Sequence, residues 1–173
     1  MPLVIDAVIK ASQSGVPCAN APMNSGWTKI AAVYSTISSG APSQVIWDSR
    51  VSLSICTRLG AAARGAGITP ATLRSSFDDR IGWVGGRGGN RPKLMASVQQ
   101  WFPNRYGKWP AHFEGGLIVA EMSQILNSSL QTYGSPKQAL LIDEIKALQN
   151  LGIEPPKKWT PWLVACVLFM DGQ

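Results

Sequence analysis

Two residues of this chain have the types that nucleophilic or acid–base chemistry needs: Lys29 and Asp48, nineteen positions apart. Lys29 follows Ser25-Gly26-Trp27-Thr28 and leads a run in which Ile30, Val33, Tyr34 and Ile37 recur at three and four. That period predicts a helix over 27–37 with Lys29 in its first turn. The positive end of the helix macrodipole disfavours an ammonium there, and partial burial pushes the same way, toward a nucleophilic amine. Ser38-Ser39-Gly40-Ala41-Pro42 stops the helix. Its length of roughly 15 Å can be retraced by the link 39–47 at roughly 3.3 Å per residue. Asp48 or Ser49 then caps a second helix, which buries Val51, Ile55 and Leu59 and runs out near Gly65-Ala66-Gly67. An amine and a carboxylate would thus face one cleft from two helix starts. On spacing alone, two solvated charges or a helix cap is the plainer reading.

The elements that must hold this pair in place are helical. The 173 residues are 45% hydrophobic and 15% charged, which predicts one compact domain over 1–173. Within it lie the Lys/Asp core at 22–64, a Gly/Arg-rich loop at 82–93 and C-terminal helices over 113–171. Val4, Ile5, Val8 and Ile9 form a short amphipathic stripe ending at 12–15. Thr69-Pro70, Ser135-Pro136 and Thr160-Pro161 are helix starts, with the hydroxyl residue as cap and proline in the first turn. Helical patterns also occupy 94–101 and 113–130, Gly152 ends the helix over 136–151, and Pro155-Pro156 leads stiffly into the last one, 160–170. No period-two alternation is sustained anywhere. The expectation is an all-α protein of about seven helices.

Composition removes several classes of function. No window approaches 18 unbroken apolar residues, so no spanning helix and no membrane partner are expected. The start, Met1-Pro2-Leu3-Val4-Ile5-Asp6, has no basic n-region, so a cytoplasmic protein without a signal peptide is expected. Cys18, Cys56 and Cys166 are far apart and His112 is the one histidine, which argues against a zinc or iron–sulfur site and for reduced thiols. Sixteen Lys and Arg against ten Asp and Glu leave a net charge of +6, which favours a polyanionic partner. Seven Trp in a basic chain also suit base stacking.

The segment around both reactive residues resembles the helix-hairpin-helix DNA glycosylases, above all the 8-oxoguanine glycosylase branch. In that family a hairpin ending Gly-x-Gly-x-Lys begins a helix, and a Val-Asp turn follows about nineteen residues later. Here the matching residues are Ser25-Gly26-Trp27-Thr28-Lys29-Ile30-Ala31, then Val45-Ile46-Trp47-Asp48 with Val51 and Arg58-Leu59-Gly60, about 40 of 173 residues. The hairpin itself departs from the family's Leu-Pro-Gly-Val-Gly, reading Pro22-Met23-Asn24-Ser25-Gly26. The resemblance implies a bifunctional glycosylase and AP lyase acting on duplex DNA with a damaged or modified base, with no cofactor. Lys29 would be the Schiff-base nucleophile, Asp48 would stabilise charge at C1′, and Val33 would stand where the family contacts the damaged base. Ser25, Gly26, Trp27 and Thr28 would meet the DNA backbone. Phe169 or Trp162 of the last helix would wall the base pocket, although a purely core role for that helix suits its all-round apolar surface better.

Other segments carry a functional and a plainer reading side by side. Arg87, Arg91 and Lys93, among the glycines at 85–89, would drape over phosphates, or would form a surface loop. Arg50 would meet a phosphate, or pair with Asp48. Residues 104–109 mix cations with aromatics and would stack a base or pack on the core, and His112 reads as a loop or cap histidine. The competing class to an enzyme is a helix-hairpin-helix DNA-binding module without turnover. A third is an assembly protein with an exposed Trp surface.

Overall fold

The computed structural model describes residues 2–37, 44–78, 80–82, 98–103, 107–136, 146, 150 and 156–171. Among these the regular elements are helices, and no strand occurs. They are α1 (Pro2–Ser14), α2 (Ser25–Ile37), α3 (Ser49–Gly65), α4 (Pro70–Ser76), α5 (Trp109–Ser128), the single turn α6 (Leu130–Tyr133) and α7 (Pro161–Asp171). The all-α expectation therefore holds. Three helix starts are made as their residues predict: Asp48 accepts from the amides of Arg50 and Val51, Thr69 from Thr72, and Thr160 from Leu163.

Three boundaries differ from the sequence reading. α2 begins at Ser25 because Asn24 Oδ1 accepts from the Trp27 amide at 3.0 Å and caps it. α5 begins at Trp109 instead of 113, with Pro110 in its first turn, where a missing N–H costs nothing. Trp109 and His112 are consequently helix residues, and both are buried. The helix expected over 94–101 gives way to a turn at 100–101 after helical residues 98–99; of the one expected over 136–151, residues 136, 146 and 150 are described and helical, and the rest of each run lies outside the described residues.

Two apolar clusters hold the helices together. The larger gathers Val51, Ile55 and Cys56 of α3, Val119 of α5 and Val164, Ala165 and Leu168 of α7 around Trp47. The smaller joins Ile5, Val8 and Ile9 of α1 to Ala31 of α2 and Trp109 of α5, and Met23 packs against both. None of the described tryptophans is exposed: Trp47, Trp101 and Trp109 are buried, and Trp27, Trp159 and Trp162 are partly so. Most of the tryptophan surface is therefore spent on packing. α7 is anchored at its entry, where Asn127 clamps the Trp159 backbone with bonds of 2.8 Å to both its amide and its carbonyl. The Trp159 indole adds a 3.0 Å bond to the Gly134 carbonyl.

Trp47 is wholly buried and sits so close to α5 that a Cβ at position 115 would fall 2.0 Å from its ring. Gly115 is thus required by packing. The adjacent Gly116 is not, since a Cβ there would meet only Val45 Cγ2, at an ordinary 3.7 Å. Gly115→Ala should destabilise the fold by at least about 2 kcal/mol through overpacking. Gly116→Ala should leave it unchanged or add up to ~1 kcal/mol from helix propensity. Urea denaturation midpoints of the two variants check the contrast.

Candidate functional site

The site rests on how the first turn of α2 is tied to the extended segment 44–48. Thr28 is fully buried and its hydroxyl donates to the Trp47 carbonyl at 2.7 Å. At the other end of α2, the Ser35 hydroxyl accepts from the Gln44 amide at 3.0 Å and donates to the Ala32 carbonyl at 2.8 Å. Seven helical residues from Thr28 to Ser35 rise about 10 Å. Three extended residues from Gln44 to Trp47 span about the same. The two hydrogen bonds therefore fit one antiparallel register, and each brings its next neighbour along: Lys29 after Thr28, Asp48 after Trp47.

Lys29 Nζ lies 3.0 Å from Asp48 Oδ2. The carboxylate is divided between two tasks. Oδ1 accepts from the Arg50 and Val51 amides at 2.8 and 3.3 Å and caps α3, which leaves Oδ2 for the amine. The Asp48 side chain is only 8% exposed, whereas Lys29 is 41% exposed, so the amine faces outward from a fixed, nearly buried acceptor. Phe169, in the last turn of α7, completes the group. Its ring centre is 5.1 Å from Lys29 Nζ and 4.6 Å from the Arg50 guanidinium carbon. Two cations and one carboxylate share this surface, an excess of one positive charge. The Arg50 guanidinium has no ion pair among the described residues.

The structure brings together Lys29, Asp48, Arg50 and Phe169. The alternative pairing of Arg50 with Asp48 is not adopted: only its backbone amide reaches the carboxylate. Val33 lies one turn beyond Lys29 on the same side of α2 and is exposed, as are Ile30 and Tyr34. Ser25 and Gly26 lie in the first turn of α2, partly buried and exposed respectively. Thr28 is a correction, since complete burial and the bond to Trp47 remove it from any surface contact with DNA. Trp27 packs against the smaller apolar cluster. Trp162 is seven residues before Phe169, roughly 10 Å back along α7, and packs on the larger cluster. Arg87, Arg91 and Lys93 lie outside the described residues, as do residues 104–106 of the cation–aromatic segment. Trp109 of that segment is buried in the smaller cluster. Among the described residues no three of His, Cys, Asp and Glu come together as a metal site would need, and no helix is long and apolar enough to cross a membrane.

Compared with known protein families, characterised proteins and solved structures, the chain matches none.

Sequence reasoning missed His112, which is neither a loop nor a cap residue. It lies inside α5 between Trp47 and Trp109, ring centres 5.9 and 5.6 Å away, and neither ring nitrogen makes a well-formed hydrogen bond. Burial lowers its pKa from the ordinary 6.5 to about 4, opposed by the nearby Val45 backbone. Helical periodicity carried the only sequence signal: Trp109 and His112 are three apart and share a face. Between pH 6.5 and about 4 the unfolded chain binds a proton at this position that the folded chain refuses. Stability from His112 is therefore complete above pH 6.5 and falls as pH drops toward 4, by about 3 kcal/mol in all. His112→Phe keeps a ring between the tryptophans and should flatten that part of the profile, read as urea midpoints from pH 7 to 4.5.

Proposed function

We propose that the chain is a DNA glycosylase with AP-lyase activity, acting on a damaged or modified base through an imine at Lys29. The observation that carries this reading is the outward-facing Lys29 amine 3.0 Å from a nearly buried Asp48 carboxylate. The resemblance of residues 25–60 to the 8-oxoguanine branch and the net charge of +6 support it.

The chemistry follows from the two groups. An amine must be uncharged to attack, and Asp48 Oδ2 is placed to take its proton. A nucleotide covering the half-exposed amine would exclude water and favour transfer of the proton from Nζ to Oδ2, leaving the neutral amine and acid. As the base departs with the electron pair of the C1′–N bond it takes up the proton held on Asp48, and the carboxylate so restored faces the positive charge developing at C1′. Lys29 Nζ forms the new bond to C1′. Opening of the sugar ring gives the imine, and loss of a C2′ proton then expels the 3′ phosphate. Since the target base must first leave the stack, it needs a surface to meet. Phe169 offers an aromatic ring beside the amine, and Arg50 offers a cation for an adjacent phosphate.

Borohydride trapping on abasic-site duplex tests the reading. The protein should give a covalent band on a denaturing gel, and Lys29→Gln should abolish the band while DNA affinity stays nearly intact. A covalent adduct that survives in Lys29→Gln would overturn the assignment of the nucleophile. Salt-sensitive DNA binding without any band would point to a binding module without turnover. Asp48 separates the two tasks of its carboxylate. Asp48→Asn keeps a cap acceptor, so stability should change by less than ~0.5 kcal/mol, while trapping slows by at least about 10²-fold. Asp48→Ala should lose trapping and also about 1 kcal/mol or more of stability.

A further inference from the structure

A cleft of about 400 Å³ opens between the end of α1, the middle of α5, the start of α7 and residues 44–45. Its wall includes Ser12, Gln44, Val45, His112, Gly116 and Pro161. It is separate from the Lys29–Asp48 pair. Pro161 and Phe169 stand about 12 Å apart along α7, and Gln44 and Asp48 about 13 Å apart along their extended segment.

We propose that this cleft is a second binding site, which takes an uncharged planar heterocycle of nucleobase size. Four observations converge on that ligand. The volume lies in the range of small-molecule sites. Among the described residues no Asp, Glu, Lys or Arg lines the cleft, so none of them would neutralise a carboxylate or a phosphate there. The buried Ser12 hydroxyl, which donates to the Ile9 carbonyl and contacts Gln44 Oε1, and the Gln44 amide make part of the wall polar, so a ligand without polar groups would match it poorly. Phe113 borders it beside His112, and an aromatic residue in the wall favours a flat aromatic guest.

Two further features fit a site that is built to be filled. Gly116 leaves part of the space open although packing does not demand a glycine there, and a helix-interior glycine is less stable than alanine. His112 borders the cleft with two buried ring nitrogens; the Val45 backbone lies near one, and neither makes a well-formed hydrogen bond among the described residues. Unused hydrogen-bonding capacity at a cavity wall is what a polar ligand satisfies. The proposal does not depend on imine chemistry at Lys29. The heterocycle could arrive free or as a base carried on a DNA strand, and the experiment separates these sources.

His112 is the one histidine in the chain, so its imidazole proton signals are unambiguous in an NMR titration. The full-length protein is titrated with adenosine, guanosine, cytidine and thymidine, and separately with short single-stranded oligonucleotides. At least one nucleoside should bind with a dissociation constant below about 1 mM and shift the His112 signals, and Gly116→Leu should weaken it by at least about tenfold. Shifts with the oligonucleotides alone, lost in Gly116→Leu, would support the site with its base delivered on a strand. No binding of either kind up to about 5 mM would overturn the proposal. So would binding that leaves the His112 signals unmoved, a readout on the unmodified chain that holds even if Gly116→Leu fails to fold.

Discussion

One buried hydrogen bond, from the Thr28 hydroxyl to the Trp47 carbonyl, sets the geometry of the candidate site. It joins the residue before Lys29 to the residue before Asp48. Because both partners are fully buried, breaking it would strand a donor and an acceptor away from water. Trp47 adds a second constraint, since its ring fills the space left by Gly115 and stacks on His112. The segment 44–48 is thereby held between α2 and α5. Asp48 emerges from it in the extended conformation that an N-cap requires, with φ −141° and ψ 177°.

This arrangement lets one carboxylate serve fold and site together. The oxygen that caps α3 is fixed by two amides, so the other is aimed without the entropy loss of ordering a free side chain. Lys29 keeps its exposure because α2 turns its small residues, Ala31 and Ala32, and Thr28 inward instead. α7 reaches the same place from the far side of the core. The Asn127–Trp159 clamp sets where it starts, and Leu168, Val164 and Ala165 set its rotation, so Phe169 falls beside the two cations. Its other residues, Val167 and Met170, remain exposed, which a helix with apolar residues on every side cannot avoid when it packs on one face.

Much of this was legible from the chain. Helical period and cap residues located α2, α3, α4 and α7 to within a few residues, because those signals act within one turn. The Lys29–Asp48 encounter was also legible, from a helix length and a link length that match. What sequence reading misjudged depends on contacts between elements. Thr28 looked like a surface residue at a helix start, and its burial follows from a carbonyl nineteen positions away. His112 looked like a loop or cap residue, and its burial follows from Trp47 and Trp109 packing against it.

By itself the sequence determined the helical class, the helix starts and the two residue types at the site, since propensity, capping and chain reach are local quantities. Only the tertiary structure decided which carboxylate oxygen meets the amine and that Phe169, not Trp162, stands beside it. The same holds for Gly115, which must stay bare while Gly116 leaves a cleft. Those outcomes depend on the relative rotation of packed helices, and a side chain's place across an interface is set by its partners' shapes rather than by its own neighbours in the chain.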